Sequence, residues 1–84
     1  MQESVQEKMK EIGGVIKEER RKRGLSIELL MASIYSKNKS NSLSSSSIHR
    51  IENGKNIVVD NLITVCELLN LEIKLVPKGK KKSI

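Results

Sequence analysis

All but one of the apolar runs in this sequence repeat in steps of three and four residues, a period that admits helices and little else. Val5, Met9, Ile12 and Ile16 step by four, three and four, and a Ser4–Glu7 pair with capping-box spacing opens the run. This predicts a first helix that continues into the basic cluster "RRKR" and stops at Gly24. Gly13 and Gly14 lie inside it and should weaken it by about 1 kcal/mol each. Ser26 can cap a second helix, "IELLMASIY", buried through Ile27, Leu30 and Ile34. The segment "SKNKSNS", residues 36–42, has no apolar residue and reads as an exposed loop. Ser44 is placed to cap a short third helix that Asn53-Gly54 ends, and residues 55–58 lead on to a fourth. That helix opens at Asp60 or its neighbour, carries Leu62, Val65, Cys66 and Leu69 at i, i+3, i+4 and i+7, and stops at Asn70.

The exception is "LEIKLVP", in which Leu71, Ile73 and Leu75 alternate with Glu72 and Lys74. Period two predicts a strand. Nothing else in the chain alternates, so the expected partner is the same strand of a second copy, in a two-fold homodimer. The other reading is an extended tail packed on its own domain. "KGKKKSI", residues 78–84, reads as a flexible basic tail. The expected fold is thus all-α, a bundle of four main helices, with one short C-terminal β-strand pairing across a dimer.

Composition narrows the function. The chain has 84 residues, no Phe or Trp and a single Tyr, so any core must be aliphatic and of single-domain size. Sixteen Lys+Arg against ten Asp+Glu leave a net charge of +6, which favours a polyanionic partner. One cysteine, Cys66, excludes an internal disulfide framework and a Cys-rich zinc site, and fits a reducing cytoplasm. No apolar run approaches the roughly 18 residues of a membrane span, and "MQESVQEKMK" is not a secretory signal. A single His, a single Cys and no acid–base carboxylate pair provide neither a nucleophile–base set nor a metal set. An enzyme is therefore not expected, and neither is a cofactor. The serine run Ser44–Ser47 lacks a Gly-x-Ser-x-Gly or Ser-x-x-Lys context.

Four short helices in this order, the third ending in Asn-Gly, resemble the lambda-repressor-like helix-turn-helix proteins, the Cro/CI or Xre family. The resemblance covers residues 12 to 71. "IGGVIKEERRKRGLS" is similar to the family's first helix and following turn, "LSSSSIHRIENGK" to its recognition helix and that helix's ending, and "NLITVCELLNL" to the next core helix. The resemblance implies a helix-turn-helix DNA-binding domain over residues 1–70, then the dimerising strand 71–77 and the tail 78–84. It also implies a transcriptional regulator, a repressor, that reads the major groove of double-stranded DNA with residues 44–53.

Carried onto this chain, the resemblance makes Ser45, Ser46, His49 and Arg50 the base-reading residues. Arg50 is the best specificity candidate among them, because a guanidinium can bond two acceptors on guanine. Ser44, Ser47, Asn53 and Lys55 would meet phosphates, with Lys37 and Lys39 adding to them from the 36–42 loop. Glu52 would pair with Arg20 in a structural salt bridge. The bland alternatives are a solvated cap for the serines, an exposed histidine without a role, and a plain helix stop for Asn53-Gly54.

Three features depart from the family pattern. The turn between the second and third helices is lengthened by residues 36–42, which could wrap a phosphate or obstruct docking. Ile27 stands where the family often has a phosphate-binding glutamine. The C-terminal strand, through Leu71, Ile73 and Leu75, resembles that of HipB-like antitoxins and would make a toxin protein a further partner. The rival function is a protein-interaction module on a helix-turn-helix scaffold that no longer reads DNA.

Overall fold

The computed structural model describes residues 2–37 and 43–77. They form four helices: α1 (Gln2–Lys22), α2 (Ile27–Lys37), α3 (Ser45–Glu52) and α4 (Val59–Leu68). The shortest of them, α3, is the centre of the assembly and touches each of the other three. Its Ile48 and Ile51 are fully buried and meet Ile16 of α1, Ile27, Leu30 and Ile34 of α2, and Val65, Cys66 and Leu69 at the end of α4. Leu25, Met31, Leu43, Ile57, Leu62, Leu68 and Leu71 close the margins of this aliphatic core. Each fully buried Ile, Leu or Val contributes about 1.5–3 kcal/mol. An eight-residue helix is held by that packing and not by its own propensity.

Three of the helices stop in the same way. Gly24, Gly54 and Asn70 adopt positive φ of 68°, 69° and 59°. At each, the chain turns back to satisfy two orphaned carbonyls. Gly24 and Leu25 donate to Arg21 and Arg20 after α1, and Gly54 and Lys55 to Ile51 and Arg50 after α3. Asn70 and Leu71 do the same for Glu67 and Cys66 after α4. These paired bonds are the Schellman arrangement, for which a left-handed residue just past the helix is required. At their starts, α2 is capped by Ser26, whose Oγ accepts from Leu29 N at 3.1 Å, and α3 by Ser44, whose Oγ accepts from Ser47 N at 3.2 Å.

The two adjacent glycines of α1 differ in kind. A Cβ on Gly13 would stand 2.3 Å from the Ile51 carbonyl oxygen and 2.5 Å from that of Glu52, so only glycine lets α1 lie against the end of α3. A Cβ on Gly14 would meet nothing. The contact continues at Gly54, where a Cβ would press on the Lys10 and Met9 backbone at 2.8–2.9 Å, and Gln6 donates to the Gly54 carbonyl at 3.2 Å.

The structure corrects the sequence at two places. Residues 71–77 have no regular structure, and no β-strand occurs among the described residues. The expected strand through Leu71, Ile73 and Leu75, and strand pairing across a dimer with it, is overturned. Leu71 is drawn into the turn that ends α4 and packs on the core. Ile73 is half exposed, and Leu75 is 94% exposed. Alternation over three residues does not supply the ladder of hydrogen bonds that a strand needs from a neighbour. The second correction concerns α1, which begins at Gln2, so Ser4 lies inside the helix and is not its cap. Of its expected apolar stripe only Ile16 is buried; Met9 is intermediate, while Val5 and Ile12 are exposed.

Opposite outcomes are expected for the two glycines. Gly13→Ala should cost more than about 2 kcal/mol, because backbone atoms must move apart. Gly14→Ala should add about 0.5–1 kcal/mol of stability through helix propensity alone. Urea unfolding of the two variants beside the parent chain measures both.

Candidate nucleic-acid interface

Orientation of α3 is set by one ion pair. Arg20 Nε donates to Glu52 Oε2 at 2.6 Å and Nη2 to Oε1 at 2.9 Å, a two-pronged fit of guanidinium to carboxylate. The third nitrogen, Nη1, donates to the Leu25 carbonyl at 2.8 Å, tying the end of α1 to the same point. Both side chains are nearly sequestered, with 11% and 5% of their surface exposed. The Glu52 hydrogen bonds outweigh the effect of burial and hold the Arg20 pKa above its ordinary value. The sequence-expected pair Arg20 and Glu52 is thus brought together, and it faces away from the outer side of α3.

That outer side is defined by helical spacing. Ile48, Ile51 and Glu52 are buried, whereas Ser46, His49, Arg50 and Asn53, at i, i+3, i+4 and i+7, are all exposed. Among the described residues His49 and Arg50 make no ion pair, so a cation and a titratable ring stand free beside one small hydroxyl. Ser45 and Ser47 lie on the flanks at intermediate exposure. The Ser44 oxygen is engaged: besides capping Ser47 N it lies 3.1 Å from the hydroxyls of both Ser46 and Ser47. Of the four expected base readers, three therefore share one outward face, and Ser45 sits at its edge. Of the expected phosphate contacts, Asn53 and Lys55 are exposed at the end of α3 and Lys37 at the end of α2, whereas Lys39 lies outside the described residues.

The basic cluster at the end of α1 separates into individual roles. Arg20 belongs to Glu52. Arg23 donates to the Leu69 carbonyl and so caps α4. Lys22 pairs with Glu19 at 3.4 Å. Sequence reasoning missed the part played by Arg23, since no local pattern links a residue after α1 to a carbonyl 46 positions on. It also missed Gly13. The available signal there was spacing: Gln6, Gly13 and Arg20 are seven apart and so fall on one line of α1.

Toward the C-terminal end of the described residues lies a groove of about 240 Å³ lined by Ile63, Cys66, Glu67, Leu71, Glu72 and Ile73. Burial raises the pKa of the Cys66 thiol and keeps it neutral. No three His, Cys, Asp or Glu side chains come together there or elsewhere among the described residues in a way that could hold a metal ion. No helix of the described residues is long and apolar enough to cross a membrane. No family model, curated protein or solved structure matches the chain.

Removing one member of the pair should be worse than removing both. Glu52→Ala leaves the sequestered guanidinium of Arg20 without its anion and should cost about 3 kcal/mol. Arg20→Met combined with Glu52→Leu should recover most of that loss. Denaturant midpoints of the single and double variants decide the matter.

Proposed function

We propose that the protein is a sequence-specific DNA-binding regulator of the lambda-repressor-like helix-turn-helix type, a repressor that places α3 in the major groove of double-stranded DNA. The observation that carries this reading is the outward face Ser46, His49, Arg50 and Asn53, held in fixed orientation by the Arg20–Glu52 pair, with His49 and Arg50 in no ion pair among the described residues. A net charge of +6 supplies the long-range attraction to a polyanion. In this reading Arg50 discriminates bases, Ser46 and His49 add donors and acceptors, and Asn53 and Lys55 hold phosphates. Two copies acting together would address half-sites about one helical turn apart on a roughly palindromic operator. The protein would work in the cytoplasm. A toxin partner is not part of the proposal, because that expectation rested on the C-terminal strand.

Fluorescence anisotropy with duplex DNA from immediately upstream of the gene, against a scrambled duplex of equal length, tests the reading. Tight binding to the native duplex alone is expected, with affinity falling steeply as salt rises. Arg50→Ala should lower that affinity roughly tenfold to a hundredfold and relax selectivity, with the helical circular-dichroism spectrum unchanged. Equal and weak binding to both duplexes would overturn the reading in favour of a protein-interaction module.

A further inference from the structure

α1 begins ten residues before the segment that resembles the helix-turn-helix family, and the extension is not idle. It passes directly over the corner where α3 ends. Gln6 holds the Gly54 carbonyl, and the backbone of Met9 and Lys10 packs so closely on Gly54 that no Cβ would fit. Each residue turns α1 by about 100°, which sorts its side chains around this contact line. Gln6, Gly13 and Arg20 mark the line itself. Met9 and buried Ile16 take the flank toward the core. Lys10 and Lys17 take the opposite flank, two turns apart.

The same sorting applies to α3. Glu52 marks its contact with α1, Ile48 and Ile51 face the core, and His49 and Asn53 lie on the side of Glu52 away from the core. The outward flanks of the two helices therefore open on the same side of the molecule. Charge pairing distinguishes the lysines that lie there from their neighbours. Lys8 sits on another face of α1 and pairs with Glu11 at 3.7 Å, whereas Lys10 and Lys17 make no ion pair among the described residues. Lys10 is exposed, Lys17 is intermediate, and Lys10 shares the Gly54 corner with exposed Lys55.

We infer that Lys10 and Lys17 form a ridge that binds the phosphate backbone beside the reading face of α3, so that the extended α1 is part of the DNA interface. This rests on the DNA-binding reading above. A ridge of this kind would add affinity and fix the approach of α3 without contributing base selectivity.

The test is anisotropy binding of the full chain to the upstream duplex and to a mixed-sequence duplex over a series of salt concentrations. Lys10→Gln and Lys17→Gln should each reduce the slope of log affinity against log salt by about one and weaken binding roughly fivefold at near-physiological salt, equally on both duplexes. Lys8→Gln removes the same charge from another face and should leave the slope unchanged. Circular dichroism of each variant should match the parent. Parental slopes for Lys10→Gln and Lys17→Gln, with the parent still binding the upstream duplex tightly, would overturn the ridge and leave the DNA reading standing. A loss of slope as large in Lys8→Gln would also overturn it, since charge alone and not position would then be responsible. If the parent chain binds neither duplex, the ridge falls together with the DNA reading.

Discussion

The Arg20–Glu52 pair is the interaction on which the arrangement of this small chain depends. A helix of eight residues cannot fix its own orientation by backbone hydrogen bonds, and two buried isoleucines define which face is inward but not the angle at which it lies. The bidentate geometry supplies that angle, because a planar guanidinium meets a carboxylate in one plane only. The remaining Arg20 nitrogen binds the Leu25 carbonyl, so the turn after α1, the body of α1 and the end of α3 are referred to one point. Gly13 and Gln6 extend that point into a line. Desolvation offsets much of the attraction between the charges, so the pair contributes specificity of orientation more than net stability.

Much of the fold could be read from the sequence, and the reasons differ from residue to residue. The apolar spacing located the core residues of α2, α3 and α4 because a three-and-four pattern leaves few alternatives, and a capping serine stands in front of α2 and α3. Gly24, Gly54 and Asn70 were legible as stops because glycine and asparagine are the residues that most readily take the left-handed conformation this helix ending uses. The stripe of α1 misled, since Val5 and Ile12 follow helical period whether or not a neighbour covers them, and period reports shape, not burial. The strand at residues 71–77 failed for a related reason. Alternation specifies a strand only where another strand completes it, and Leu71 had a stronger claim on it from the core. At the candidate interface, the outward placement of Ser46, His49 and Arg50 followed from the inward placement of Ile48 and Ile51. The use of Arg23 as a cap depends on tertiary packing and had no local trace, while the close contact at Gly13 showed only in its seven-residue spacing from Gln6 and Arg20.

Charge pairing divides the cations of this protein into two populations. Arg20, Lys22 and Arg23 belong to the contiguous basic run of residues 20–23, which looks like one patch, yet each has an anionic or carbonyl partner within the fold, and of that run Arg21 alone makes no ion pair or side-chain hydrogen bond among the described residues. Lys10, Lys17, Arg50 and Lys55 are scattered along the chain and have none among the described residues. The structure thus inverts the impression of the sequence, in which the dense cluster draws attention and the dispersed residues do not. A positive field useful to a polyanion has to come from charges that are not already neutralised at short range.

The serine run fits this division. A hydroxyl donates or accepts with equal ease and so carries little base information by itself. Ser44 is further limited, because its oxygen caps the helix and gathers the hydroxyls of Ser46 and Ser47 around it. What the serines provide is clearance: small side chains at the leading end of α3 would allow its backbone to approach a surface closely. In the proposed reading, discrimination then falls to Arg50 and His49 one turn further along, and affinity to the phosphate-binding lysines around them. A helix built this way would depend on exact placement, since few contacts carry its selectivity and each must reach its base edge. The sequestered ion pair beneath α3 and the glycine contact beside it supply that placement, which is why two structural features remote from any base belong to the account of how this face could read DNA.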